Sequence, residues 1–268
     1  MNPSFADIRS ALYLPAANAR AMEKARGLAC DMVILDLEDA VKPDAKDTAR
    51  AAAEVAAGFG DRIVAIRLNG PETIWHADDV AAARRSHAAC VVLPKVESAA
   101  VATRVADACA RPLFAMIETP AGVFAAREIA AAHGVAGLIA GSNDLAATLR
   151  LPPGAGRAAL TLALQSIVLA ARAAGVAALD GVWNALDDAA GLEADARAGR
   201  LTGFDGKTLI HPNQIAIANA AFGPTEEELE DARALVAAAT GGAERFRDRM
   251  IETMHVDAAR RLIAKGER

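Results

Sequence analysis

Residues 31–69 read DMVILDLEDAVKPDAKDTARAAAEVAAGFGDRIVAIRLN, and this stretch decides the fold. An aliphatic run at 31–38 is followed by an Ala-rich, charge-flecked segment with helical spacing at 44–57, and then by a second aliphatic run at 62–69. A strand, a helix and a strand within 39 residues form a βα unit whose strands run parallel. Working outward, the same alternation recurs every 25 to 30 residues, with strands expected at 10–15, 31–38, 62–69, 89–94, 113–118, 135–141, 177–183 and 203–210. Helices are expected at 19–28, 44–57, 72–85, 98–108, 121–132, 157–174 and 185–198. Eight strands close a (β/α)8 barrel, and the chain of 268 residues is long enough for one such barrel with something appended. The sequence therefore predicts a barrel over 1–222 and a C-terminal helical extension over 223–268, where Thr225 stands three residues ahead of Glu228 in capping-box spacing.

Composition narrows the function. Lys and Arg total 29 against 34 Asp and Glu, a net charge of −5 with no basic stripe, which argues against nucleic acid as a partner. No apolar run reaches the length of a membrane span, and the first ten residues carry Asp7 without an apolar leader, so the expectation is a cytoplasmic protein with no membrane contact. Three cysteines, Cys30, Cys90 and Cys109, lack the spacing of a metal knot and fit buried thiols in a reducing compartment.

In such a barrel the reactive groups gather where strands end. The strand ends carry Glu38 and Asp39, Arg67 and Asn69, Lys95 and Glu97, Glu118, Ser142 with Asn143 and Asp144, and Asp180 with Trp183. Period-two phase puts Asp36 with Glu38, Ile63 and Ala65 with Arg67, and Phe114 and Met116 with Glu118. Carboxylates converging in one mouth raise one another's pKa unless a cation neutralises them; with oxygen donors only, Mg2+ suits the set better than Zn2+. Taken singly, each residue has an ordinary alternative: Glu38 and Asp39 as helix-start acids, Asp144 as an N-cap, Arg67 as an ion-pair partner.

The strings LYLPAAN (12–18), VILDLEDAVKPDAKDTAR (33–50), VVLPKVES (91–98), IETPAGV (117–123), GSNDLA (141–146), GFDGKTLIHPNQI (203–215) and RMIETMHVDAARRL (249–262) resemble, in order and over nearly the whole chain, the citrate lyase beta-subunit-like family, which includes malyl-CoA and citramalyl-CoA lyases. The resemblance implies a (β/α)8 barrel with a C-terminal extension, assembled as a trimer or hexamer. It implies Glu118 and Asp144 as Mg2+ ligands, Arg67 on the 2-keto acid carboxylate, and Glu38 and Asp39 as an acidic pair around metal and substrate. Gly141, Ser142 and Asn143 match the loop facing the substrate carboxylate, while Tyr13, Pro15, Lys46 and Arg50 fall where the family receives coenzyme A. For Lys46 and Arg50 a solvated helix face is the competing reading.

One departure stands out. The family's tail motif carries an Asp that reaches a neighbouring subunit as acid/base, and here Glu252 holds that place with one more methylene. The resemblance implies a Mg2+-dependent lyase that cleaves a 3-hydroxy-3-carboxyacyl-CoA thioester of the malyl or citramalyl type into acetyl-CoA and a 2-keto acid. A malyl-CoA-type thioesterase and a citrate lyase beta subunit working with an acyl-carrier partner are the alternatives. A class II aldolase with a His base is disfavoured, because only His211 follows a strand end and it is better read as ordering the eighth loop.

Overall fold

The computed structural model describes residues 5–267. Eight parallel strands close on themselves in chain order. They are β1 (Ser10–Pro15), β2 (Met32–Asp36), β3 (Ile63–Arg67), β4 (Cys90–Leu93), β5 (Leu113–Ile117), β6 (Val135–Ala140), β7 (Ala177–Asp180) and β8 (Gly206–Leu209). Closure is made by β8 against β1, where Ser10, Ala11 and Leu12 pair with Lys207, Thr208 and Leu209. The expected (β/α)8 barrel is therefore the observed one.

Helices cross between the strands: α1 (Ala19–Ala25), α2 (Lys46–Glu54), α3 (His76–Arg85), α4 (Ala99–Cys109), α5 (Pro120–Phe124), α6 (Ala126–Ala130), α7 (Ser142–Thr148), α8 (Thr161–Ala174) and α9 (Ala189–Thr202). The helix expected over 121–132 is split at Ala125 into α5 and α6. The helix expected at 185–198 starts instead at Ala189, because the Asp188 side chain caps it by accepting from Gly191 N–H at 2.8 Å. Helix α7 has no counterpart in the sequence reading. The stretch Arg157–Ala174 is apolar and long enough to cross a membrane by length and composition; here one face of it, with Leu164, Ile167, Val168 and Ala171, is buried, while Leu162 and Leu169 are exposed.

Strand phase fills the lumen. Ala11 and Tyr13, Met32 and Ile34, Ile63 and Ala65, Cys90 and Val92, Phe114 and Met116 belong to one buried cluster, so Asp36, Arg67 and Glu118, two residues further on, continue the same face upward. Bulky side chains pack the barrel below, and charged ones sit where it opens.

Two compact units divide the chain, one ending at Asn219 and the other beginning at Ala220, inside α10 (Ile215–Phe222). The second unit contains α11 (Glu226–Ala238), an antiparallel hairpin of β9 (Glu244–Phe246) and β10 (Arg249–Ile251), and α12 (Thr253–Gly266). Thr225 and Glu228 form the expected capping box. Ala232, Leu235, Phe246, Ile251, Val256 and Ala259 make that unit's own apolar core.

Candidate active site

Arg67 ends β3 and is buried, stacked 4.7 Å above the Tyr13 ring. Asp36, fully buried at the end of β2, accepts from Arg67 Nε at 2.7 Å and Nη2 at 2.5 Å, while Glu38 Oε2 lies 2.8 Å from Nη1. Asp36 also accepts from the backbone N–H groups of Glu38 (2.8 Å) and Ala40 (3.2 Å), so one carboxylate fixes both the arginine and the turn that carries the acidic pair. Burial opposes the guanidinium charge, but the hydrogen bonds and charge of Asp36 outweigh it and hold the pKa of Arg67 above its usual range.

Glu118 follows β5 and is buried. Its Oε1 accepts from Lys95 N–H at 2.7 Å, and Lys95 achieves this with a positive φ of 52°, a strained conformation for a residue with a side chain. Burial pushes the Glu118 carboxyl up to about 7, with the nearby negative charge of Asp144 adding to the rise. Burial also pushes Glu38 up to about 7, Arg67 working against it and Asp39 and Glu118 with it. Gly141 makes the close approach possible: a Cβ there would lie 2.2 Å from Glu118 Cβ and 2.4 Å from Oε2. Gly181 does the same on the other side, where a Cβ would meet Ser142 Oγ at 2.5 Å. The two glycines let the ends of β5, β6 and β7 converge.

These residues line a cavity of about 340 Å³ that Tyr13, Asp36, Asp39, Arg67, Glu118, Gly141, Ser142, Asn143 and Asp144 share with apolar Met116 and Val182. Of the residues singled out from sequence, the structure thus brings Tyr13, Arg67, Asp39, Glu118, Gly141, Ser142, Asn143 and Asp144 together, with Glu38 behind Arg67. Pro15 closes β1 outside this lining.

Lys46 and Arg50 are not part of this lining, and most of their donors are engaged within the protein. Lys46 is buried, and its three N–H donors are engaged by Leu37 O (2.6 Å), Glu38 O (2.8 Å) and Asn69 Oδ1 (2.7 Å). Arg50 donates to Asp79 at 2.8 Å and Asp47 at 2.7 Å, and the fully buried Asp79 in turn holds Asn69. This network fastens the turns after β2 and β3, and a phosphate drawn to Lys46 would have to dismantle it. Glu252 belongs to the second unit, just before α12, where its backbone N–H donates to His255 Nδ1 at 3.0 Å.

Two residues of the site were noted in the sequence without being given a role. Asp36 was visible in the phase of β2 beside Glu38. Lys95 was visible only as a strand-end cation; its backbone contribution through a positive φ has no sequence signature.

A hard cation fits this donor set. Glu118 keeps one oxygen for Lys95 N–H and turns the other toward the lane that Gly141 leaves open, Asp144 stands in the first turn of α7, and the cluster is exclusively carboxylate oxygen. Burial, with neighbouring carboxylates adding to it, disfavours the ionised forms of Glu38 and Glu118, and a cation at the site would offset that cost.

A lumen packed with side chains, with clustered carboxylates and an anchored arginine at a single mouth, is the arrangement of a barrel enzyme whose site suits a divalent cation. The chain belongs to the HpcH/HpaI aldolase/citrate lyase family, whose model matches residues 9–212. It is 45% identical to a (3S)-malyl-CoA thioesterase of Cereibacter sphaeroides over 97% of this chain and 94% of that one. It is 36% identical to a citrate lyase subunit beta-like protein of Deinococcus radiodurans, covering 98% and 99%. Its structure superposes with a TM-score of 0.85, at 34% identity and with 97% and 98% coverage, on the Mycobacterium tuberculosis protein CitE crystallised with magnesium, acetoacetate and coenzyme A.

Proposed function

We propose that the chain is a Mg2+-dependent enzyme that cleaves the carbon–carbon bond of a 3-hydroxy-3-carboxyacyl-CoA thioester, of the malyl or citramalyl type, giving acetyl-CoA and a 2-keto acid. The observation that carries the reading is Arg67, pinned by Asp36 and Glu38, facing the carboxylates of Glu118 and Asp144 across one cavity. Glu118 and Asp144 would hold Mg2+, which when bound lowers the pKa of a coordinated hydroxyl and polarises the carbonyl it becomes.

The remaining work falls to this chain's side chains. The substrate hydroxyl gives its proton to the Glu38 and Asp39 pair through Asp39, the member that lines the cavity, while Glu38 holds Arg67 from behind. The bond between the hydroxyl-bearing carbon and the thioester α-carbon breaks, its electron pair passes into the thioester enolate, and a proton returns to the α-carbon. Arg67 offsets the developing negative charge and holds the keto acid carboxylate, which the backbone of Gly141, Ser142 and Asn143 meets from the other side. Glu252 is assigned as the donor of the returning proton, and Tyr13 as the ring that supports Arg67. An assembly of identical subunits, trimer or hexamer, forms part of the same proposal.

A second reading, hydrolysis of the thioester, is favoured by the 45% identity to a malyl-CoA thioesterase. Product analysis decides between them. Incubation with malyl-CoA or citramalyl-CoA and Mg2+ is expected to yield acetyl-CoA and keto acid by mass spectrometry, with Glu252→Gln slowing release; free coenzyme A with intact malate or citramalate makes the chain a thioesterase instead.

The raised carboxyls give a test independent of turnover. Glu38 and Glu118 have folded-state values of about 7 against an ordinary value of 4.5. Both are acids whose folded pKa lies above the unfolded one, so their contribution to stability is complete below 4.5 and is lost as pH rises through 7. Metal-free protein is expected to melt a few degrees lower at about pH 8 than at about pH 5, and Mg2+ to raise the melting temperature more at the higher pH. Differential scanning fluorimetry with and without chelator reads this directly; an Mg2+ effect equal at both pH values removes these carboxyls from the cation site.

A further inference from the structure

Beside the reaction cavity lies a larger one of about 620 Å³, and the two share Ser142, Asn143 and Val182 as lining. The larger cavity is bounded by α7, the 151–156 segment (LPPGAG), the start of α8 and the turn after β7. Its lining includes the buried Leu160 and Leu164, with Ala146 and Ala147 on the α7 side. Four charged groups reach it, and all are engaged with one another. Arg157 lies 2.7 Å from Asp180 and 3.5 Å from Asp195; the buried Lys207 lies 3.3 Å from Asp180 and 2.5 Å from Asp195. Two cations against two anions leave no net charge for a ligand, so an ionic ligand gains nothing there that it would not lose in desolvation. A neutral one is favoured. Trp183 lines the same cavity, and its indole Nε1 is buried with no acceptor among the described residues. An unsatisfied buried donor is costly, and an acceptor on a bound group would relieve it.

At the boundary, Asn143 and Asn184 exchange two amide hydrogen bonds, at 3.2 and 2.7 Å, across the gap between α7 and the turn after β7. Both side chains are exposed, so exchanging this pair for water costs little.

Resting on the proposed reaction, we propose that the larger cavity is an annex of the active site: it receives a neutral, mainly aliphatic substituent on the hydroxyl-bearing carbon, and the Asn143–Asn184 pair parts to admit it. The chain then accepts thioesters whose keto acid product is longer than pyruvate. The reaction cavity alone, with Arg67, Glu118 and Asp144 in its wall and about half the volume, fits the carboxylate end and a small substituent.

Trp183 reports on its own cavity. The sequence has two tryptophans, so Trp75→Phe leaves Trp183 as the sole indole. The full-length protein in saturating Mg2+ is titrated with pyruvate and with 2-oxohexanoate, following indole emission and, in parallel, heat. Bound 2-oxohexanoate is expected to shift Trp183 emission while bound pyruvate leaves it unchanged. Ala146→Leu and, separately, Ala147→Leu fill the cavity from α7 without removing a polar group; at least one is expected to weaken 2-oxohexanoate about tenfold while pyruvate stays within about twofold. Equal emission shifts from both acids, or unchanged 2-oxohexanoate affinity in both folded variants, overturns the annex. Binding of pyruvate alone also overturns it while leaving the proposed reaction standing, and binding of neither acid overturns both.

Discussion

Arg67→Lys is expected to lower kcat/KM for the thioester by about two to three orders of magnitude, although the charge is kept. The reason is a count of donors. A guanidinium has five N–H groups; in this site Nε and one N–H of Nη2 are held by Asp36 and one of Nη1 faces Glu38, which leaves two to meet a substrate carboxylate. An ammonium has three, and satisfying Asp36 and Glu38 takes all of them. The lysine variant therefore either leaves a buried carboxylate unpaired or has nothing to offer the substrate. Steady-state kinetics with a parallel melting curve separate these outcomes. A large loss of rate with a small change in melting temperature places Arg67 on the substrate, and an unchanged rate confines it to holding Asp36 and the turn that follows.

How much of this was legible in the sequence depended on whether the deciding interaction was local. Strand existence was legible because each strand of a parallel barrel is an aliphatic run buried on both faces, and the period-two phase carried Asp36, Arg67 and Glu118 to the mouth without help from tertiary structure. Element ends were less so: α5 and α6 divide at Ala125 within an Ala-rich stretch that reads as one helix, and the hairpin of β9 and β10 is built from three-residue strands, too short for alternation to register. Lys46 and Arg50 show the limit for side chains. On the sequence they are two cations four residues apart on a helix, placed in the coenzyme A region by the family resemblance and otherwise readable as a solvated helix face. Their partners, Asn69 and Asp79, lie some 20 to 30 residues away, and only the fold brings them close enough to engage those charges internally. Lys95 is the converse case. Its side chain drew notice, while its backbone N–H, turned toward Glu118 by a positive φ, does the positioning.

Glu118→Gln is expected to have the largest effect of any single change: Mg2+ binding falls below detection at millimolar metal, and turnover falls by roughly three orders of magnitude or more, the several kcal/mol that a bound cation contributes to a developing oxyanion. The substitution is nearly isosteric. The amide oxygen still accepts from Lys95 N–H, and the side chain still packs against the open face of Gly141, so the metal-free fold keeps its contacts. What disappears is a buried negative charge. Because the wild-type carboxyl is pushed up to about 7 by burial and by Asp144, its ionised form weakens the metal-free protein above that pH, and the glutamine variant is expected to melt at the same temperature as wild type or slightly higher there. Loss of metal binding and of rate together with an undiminished melting temperature has no explanation in misfolding. Isothermal titration with Mg2+ at about pH 8 and a melting curve on the same preparation supply both readings. If the variant binds Mg2+ as wild type does, Glu118 is not a ligand, and the cost of its buried charge is then relieved by proton uptake instead of by a metal.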